Sequence, residues 1–313
     1  MPLQSIDQRL RQLQLRTRYP VEHLLAGEYR SVFKGRGMDF DEIRSYHPGD
    51  EVRSIDWNVT ARTGRPHVKR YIEERELVVW LVVDASASCR ISAQSRTGSD
   101  RTGSDRTAST TGRSKWDAMN ELAALLTLSA IHNHDRVGMI LCSDRVEQIL
   151  QPRKGRQHAL RLLNDLLAVE PRGVGSNPAP ALDAILHMAR RRVLILMLSD
   201  FLFDMDREQL GAVAFRHDLV GVAVNHPSEV EPPPCGLAAV RDSETGEALV
   251  VDFGTTGRAI CRRTFDARRA CLREEFAAVR ADLLELDTCS NCAEELGRFF
   301  RHRLRRTADE TGG

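Results

Sequence analysis

The chain has 313 residues and a hydrophobic content of 42%, ordinary for a globular protein and enough for two domains or one elaborate one. Its 45 basic and 44 acidic residues leave a formal charge of +1, so no global field draws nucleic acid. No apolar run reaches the roughly 20 residues that cross a bilayer, and residues 1–18 lack the apolar core of a signal peptide. Those patterns point to a cytoplasmic protein with no direct membrane insertion.

Residues 1–27 are expected to be helical. Leu3, Ile6, Leu10, Leu13 and Leu15 recur at near-helical spacing, and Val21, Leu24 and Leu25 resume after Pro20. Residues 28–76 interleave arginine, aspartate, glycine and aromatics, with the turn His47-Pro48-Gly49-Asp50 and the alternating Val68-Lys69-Arg70-Tyr71-Ile72-Glu73. Short strands with tight turns fit this better than helices. The Arg/Asp alternation there reads as ion pairs fixing a small β-rich extension, with a docking surface as the functional alternative.

Leu77-Val78-Val79-Trp80-Leu81-Val82-Val83 is a continuous apolar run, as expected of a strand buried on both faces in a parallel sheet. It ends in Asp84, Ser86 and Ser88, at i, i+2 and i+4. Open α/β sheets place ligands just past the carboxyl end of a central strand. Three small oxygen-bearing side chains there suit a hard cation such as Mg2+. Residues 90–112 follow, where Arg96-Thr97-Gly98-Ser99-Asp100 repeats as Arg101-Thr102-Gly103-Ser104-Asp105. Almost without apolar content, this insertion is expected to be disordered.

Helix is expected from Lys115 to about Ile131, then strands at 136–142 and 146–150, the second at the sheet edge. A helix over 156–167 leads to the glycine-rich loop 171–178, which contains Gly175-Ser176. Helix 179–189, strand 193–198, the polar pair Ser199-Asp200, helix 207–216 and strand 219–224 continue the alternation. Residues 237–241 and 248–253 flank the turn Ser243-Glu244-Thr245-Gly246, a hairpin signal. A helix over about 264–279, a strand over 282–286 and a helix over 293–304 close the chain, and 306–313 are expected to be a disordered tail. This alternation predicts a doubly wound, mostly parallel α/β sheet over 77–305.

Several features carry less. Cys289 and Cys292 form a Cys-x-x-Cys without a second pair, so the seven cysteines read as reduced thiols. The Arg298, Arg301, Arg303, Arg305 and Arg306 cluster reads as a solvated, frayed helix. His132 and His134 sit at a helix end, where the dipole favours a cation.

Asp84, Ser86 and Ser88, with Ser176 and Asp200 from two further loops, resemble the metal-ion-dependent adhesion site of von Willebrand factor A domains. Ser176 stands where that family usually has Thr. The resemblance implies an electron-poor Mg2+, with Mn2+ or Ca2+ as substitutes, that accepts a Glu or Asp from a protein partner. Across nearly the whole chain, Arg44-Ser45-Tyr46-His47-Pro48-Gly49-Asp50, Arg53-Ser54-Ile55-Asp56-Trp57, Asp84-Ala85-Ser86-Ala87-Ser88, Ser199-Asp200-Phe201 and Asp242-Ser243-Glu244-Thr245-Gly246 look like the signature of the domain of unknown function 58 family. That resemblance implies a bacterial or archaeal adaptor or chaperone-like partner of a MoxR-type AAA+ ATPase. Cys89 departs from it, standing where Met is usual.

The rival reading is a magnesium-dependent phosphohydrolase with Asp84 as nucleophile, similar to haloacid dehalogenases. Those need a second Asp two residues on as general acid. Ser86 stands there, and its hydroxyl is a poor proton donor near neutral pH.

Overall fold

A computed structural model describes residues 12, 13, 17, 38–47, 50, 54–73, 77–90 and 113–311. The helix expected over 1–27 lies outside the described residues except at positions 12, 13 and 17, which are helical. The repeat insertion lies outside them except for Arg90.

In the 28–76 segment, β1 (Met38–Ser45) and β2 (His67–Glu73) pair antiparallel, as a β-rich extension requires. The expectation of strands and turns alone is corrected between them: Trp57–Thr63 is a helix, α1. The Asp56 carboxylate accepts the Asn58 and Val59 N–H groups, and Gly64, at φ 69°, closes the far end. The helix buries none of its side chains, so no apolar stripe announces it. An Arg44–Asp50 ion pair, 2.6 Å, is one of the structural pairs expected here.

The body runs β3 (Val78–Asp84), α2 (Ala87–Arg90), α3 (Lys115–His132), β4 (Arg136–Cys142), β5 (Val146–Arg153), α4 (Arg156–Ala168), α5 (Ala179–Met188), β6 (Leu194–Ser199), α6 (Arg207–Arg216) and β7 (Asp218–Asn225). It continues through α7 (Pro227–Val230), β8 (Leu237–Arg241), β9 (Ala248–Asp252), α8 (Thr255–Ala278), β10 (Asp282–Asp287) and α9 (Cys292–Thr311). Six strands form one sheet in the order β10-β7-β6-β3-β4-β5. All neighbours are parallel except β5, which runs antiparallel along the edge of β4. This is the expected doubly wound α/β fold. Because β4 and β6 flank β3 on opposite sides, the strand order reverses at β3. A crevice opens at the carboxyl end of such a switch point.

Alternation along each strand feeds two cores. Val79, Leu81 and Val83 pack with Met139, Leu196 and the inner faces of α3, α4 and α9. Trp80 and Val82 point the other way, toward Ile140, Met197 and the inner faces of α5, α6 and α8. Both sides of β3 are therefore dry, as its unbroken apolar run requires. Gly221 in β7 lets α8 close on the sheet: a Cβ there would meet the Phe276 ring at 2.5 Å.

Two boundaries and one surface assignment are corrected. Helix α8 begins at Thr255, not near 264, because its first turns face solvent: Ile260 is half exposed and the fully buried residues are Leu272 and Phe276. Helix α9 continues to Thr311, so residues 306–311 are helical rather than a disordered tail. The basic end of α9 is also not simply solvated. Arg303 is buried and holds the amino ends of two strands, reaching Asp218 of β7 at 2.5 Å and Asp282 of β10 at 3.3 Å. Arg306 pairs with Asp282 as well.

His217, just before β7, is 1% exposed, and neither ring nitrogen has a partner among the described residues. Burial, then the charges of Arg216 and Arg192, push its pKa down to about 4. The unfolded chain protonates this histidine near 6.5 while the native chain keeps it neutral, so stability falls as pH drops from 6.5 toward 4. The full loss is on the order of 3 kcal/mol. His217→Phe is expected to flatten the stability–pH curve in that window, as read from urea unfolding at successive pH values. An unchanged curve would assign the acid loss to other groups.

Among the described residues no helix is long and apolar enough to cross a membrane.

Candidate metal centre

Three segments meet at the carboxyl end of β3. The β3 strand delivers Asp84 as its last residue, and the chain then turns into the short helix α2, which carries Ser88 and Cys89. The glycine-rich loop is stitched over this turn by main-chain bonds, Ala87 N–H to Val174 O at 3.0 Å and Asn177 N–H to Ser143 O at 2.8 Å. Glu147 of β5 accepts the Arg172 and Gly173 N–H groups and so holds the loop down. Gly173 is required by this close approach, since a Cβ would sit 2.2 Å from the Ser143 hydroxyl. The third segment is the end of β6, which supplies Ser199 and Asp200.

The five residues singled out from the sequence do come together. Asp84 is buried, and its Oδ1 accepts the Ser86 N–H at 2.9 Å. Its Oδ2 accepts two hydroxyls at 2.6 Å, from Ser176 and Ser199. The Ser86 and Ser88 hydroxyl oxygens are 3.0 Å apart. Asp200 is also buried, and one carboxylate oxygen each from Asp84 and Asp200 and the Cys89 sulfur all lie within 4.8 Å of one another. Burial, opposed by the Ser176 and Ser199 hydroxyls and aided by the Asp200 charge, pushes the Asp84 carboxyl up. Burial likewise lifts the Cys89 thiol, and the Asp200 and Asp84 charges add to it, so Cys89 stays a neutral thiol.

The third segment carries backbone strain. Phe201 adopts φ 52°, a left-handed conformation that costs a residue with a side chain about 1 kcal/mol or more. It is held there by the buried Phe201 ring, packed edge-on to Phe276, and by the Arg268 guanidinium, which donates to the Phe201 carbonyl at 2.9 Å. The Phe201 N–H returns to the Ser199 hydroxyl at 2.9 Å.

Three contributors carried no role in the sequence reading. Ser199, by sequence only a strand-end oxygen, donates directly to Asp84. Lys115, which reads as the first residue of a helix, turns its ammonium inward to Asp200 at 2.7 Å and to Glu229 at 2.5 Å. Ser114 caps α3 with a full capping box, which sets Lys115 at the first helical position facing the site. Burial opposes its charge, but Asp200 and Glu229 overcome that and hold the ammonium above its ordinary value. Glu244 is the third. It sits in the β8–β9 turn, where Asp242 accepts the Glu244 N–H at 2.8 Å and Gly246, at φ 75°, completes the bend. Its half-buried carboxylate reaches back to the Ser88 hydroxyl and Gly175. Burial, eased by Ser88 and reinforced by Asp200 and Asp84, pushes the Glu244 carboxyl up. Its place inside the Asp242–Gly246 signature was the available signal.

All donors except Cys89 are oxygens, which suits a hard cation. A hydroxyl that donates to a carboxylate keeps lone pairs for an ion. The 3.0 Å between Ser86 and Ser88 matches adjacent oxygens of an octahedron with metal–oxygen bonds of about 2.1 Å. The residues present therefore fit Mg2+.

A family model described as "Protein of unknown function DUF58" matches residues 42–275. The uncharacterized protein Rv1480 of Mycobacterium tuberculosis is 31% identical over 299 residues, covering 95% of this chain and 89% of its own length. Among solved structures, an aerotolerance-related membrane protein from Bacteroides fragilis is 13% identical, with 74% of this chain and 99% of that one covered and a TM-score of 0.46. The VWA domain of SpRpn10 is 9% identical, with coverage of 48% and 76% and a TM-score of 0.33.

Proposed function

The chain belongs to the DUF58 family of proteins of unknown function, and from that premise we propose that it is a non-catalytic, Mg2+-dependent protein-binding module. Asp84, Ser86, Ser88 and Ser176 hold the ion, Asp200 reaches it directly or through a water, and a partner's Glu or Asp completes the coordination. The observation that carries this reading is the gathering of hydroxyls from three separate segments around one buried carboxylate, at the reversal point of the sheet. Few of those donors are charged, so a bound ion keeps attraction for an incoming carboxylate.

Mn2+ or Ca2+ would substitute with altered affinity, since the donors are all oxygen. The non-catalytic assignment rests on Ser86, whose hydroxyl contacts Ser88 and Cys89 and offers no acid to a leaving group. A MoxR-type AAA+ ATPase in the cytoplasm is the partner that the family resemblance favours. Purified ATPase of that type, passed over the immobilised protein, should be retained in Mg2+ and released by chelator. Retention that ignores the chelator, or turnover of an aryl phosphate that Asp84→Ala removes, would overturn the proposal.

A further inference from the structure

The β8–β9 hairpin brings the Glu244 carboxylate to the rim of the cation site, against Gly175 and facing Ser88, just outside the cluster of Asp84, Cys89 and Asp200. Glu244 Oε1 is shut off from solvent and has no hydrogen-bond partner among the described residues. A carboxylate oxygen in that condition is costly unless a donor or a cation meets it. Lys115 does not, for its ammonium is engaged by Asp200 and Glu229. The neighbours of Glu244 are instead the Ser88 hydroxyl and the charges of Asp200 and Asp84, the groups assigned to the ion. The other oxygen, Oε2, lies 3.8 Å from where a Cβ on Gly175 would stand, beside Ser176.

We propose that Glu244 is an intramolecular ligand of the cation, so that the β8–β9 hairpin closes the site until a partner's carboxylate displaces it. This rests on the cation reading above and adds its regulation. The hairpin is held chiefly by the packing of β9 on α8. It is a two-stranded sheet separate from the main one, and such ribbons are marginally stable alone. Leu237, Leu249 and Val250 on its strands are more than half exposed, so little apolar burial is lost when it moves. The tight turn around Asp242 keeps Glu244 at its tip as the hairpin swings.

Mn2+ serves as the probe, because water-proton relaxation counts the waters on the bound ion. Wild type, Glu244→Gln and the exposed same-turn control Glu247→Gln are titrated with Mn2+. Glu244→Gln is expected to bind Mn2+ on the order of tenfold more weakly and to show higher relaxivity per bound ion, because a water replaces the carboxylate. Glu247→Gln is expected to match wild type. Hydrogen exchange over 237–252 should slow on adding Mn2+ in wild type and not in Glu244→Gln. Equal affinity and relaxivity in Glu244→Gln and wild type would overturn the role of Glu244 while leaving the cation site standing. Absence of Mn2+ binding in wild type would overturn both.

Discussion

Lys115→Met is expected to lower the free energy of unfolding by about 3–5 kcal/mol, the usual cost of stranding one member of a buried ion pair. Methionine keeps the aliphatic stem and the helix propensity at the start of α3, so the change isolates the charge. The Lys115 and Asp200 side chains are 4% and 1% exposed, and they meet at 2.7 Å. Without the ammonium, Asp200 stays buried near Asp84 with no positive charge to offset it. The Lys115→Met, Asp200→Asn double variant should recover much of the loss, since it removes both charges, and urea unfolding of the cycle measures that coupling. Mg2+ should also return part of the stability of Lys115→Met, about 2.7 kcal/mol when the free ion is a hundredfold above its dissociation constant. A loss under 1 kcal/mol would mean that water reaches the pair.

The second large effect is on association. Asp84→Ala is expected to reduce Mg2+-dependent binding of a partner by on the order of 100-fold or more. Asp84 gathers the site, since Ser86, Ser176 and Ser199 all donate to its carboxylate. The fold should survive with some loss of stability, because the cores on both faces of β3 are built by residues 79–83, while the Ser86 N–H and the Ser176 and Ser199 hydroxyls lose their acceptor. Asp84→Asn removes the charge that attracts the ion while its amide oxygen can still accept the Ser176 and Ser199 hydroxyls, at the cost of an amide NH2 set against the Ser86 N–H. Cooperative unfolding retained, with association lost in both variants, is the expected pattern. Association retained in Asp84→Asn would mean that the carboxylate organises the loops without holding an ion.

The sheet was legible because its strands are dry on both faces. Runs such as 78–83 and 194–198 have no polar break, and their ends fall where the oxygens begin. Ser176 was legible through the resemblance to the adhesion-site pattern, in which a second loop supplies a hydroxyl. The elements that were misread lack a dry face. Helix α1 buries nothing, and α8 spends its first turns in solvent, so neither shows an apolar stripe where it starts. Residues 306–311 continue α9 as Arg306 anchors to Asp282, a contact from another element. The inward turn of Lys115 was hidden for the same reason. A lysine at a helix start reads as solvated until Asp200 and Glu229, 85 and 114 residues away, are folded against it. Glu244 lies in a turn whose local pattern specifies only a bend. Its relation to Ser88 and Asp84 is tertiary, carried by the hairpin's packing against α8.

Calorimetric titration of Mg2+ into the wild-type protein and Asp84→Asn tests the cation site most directly. The expected result is one saturable site per chain in wild type and none in Asp84→Asn, with both chains folded. No binding to wild type, or equal binding to both, would contradict it.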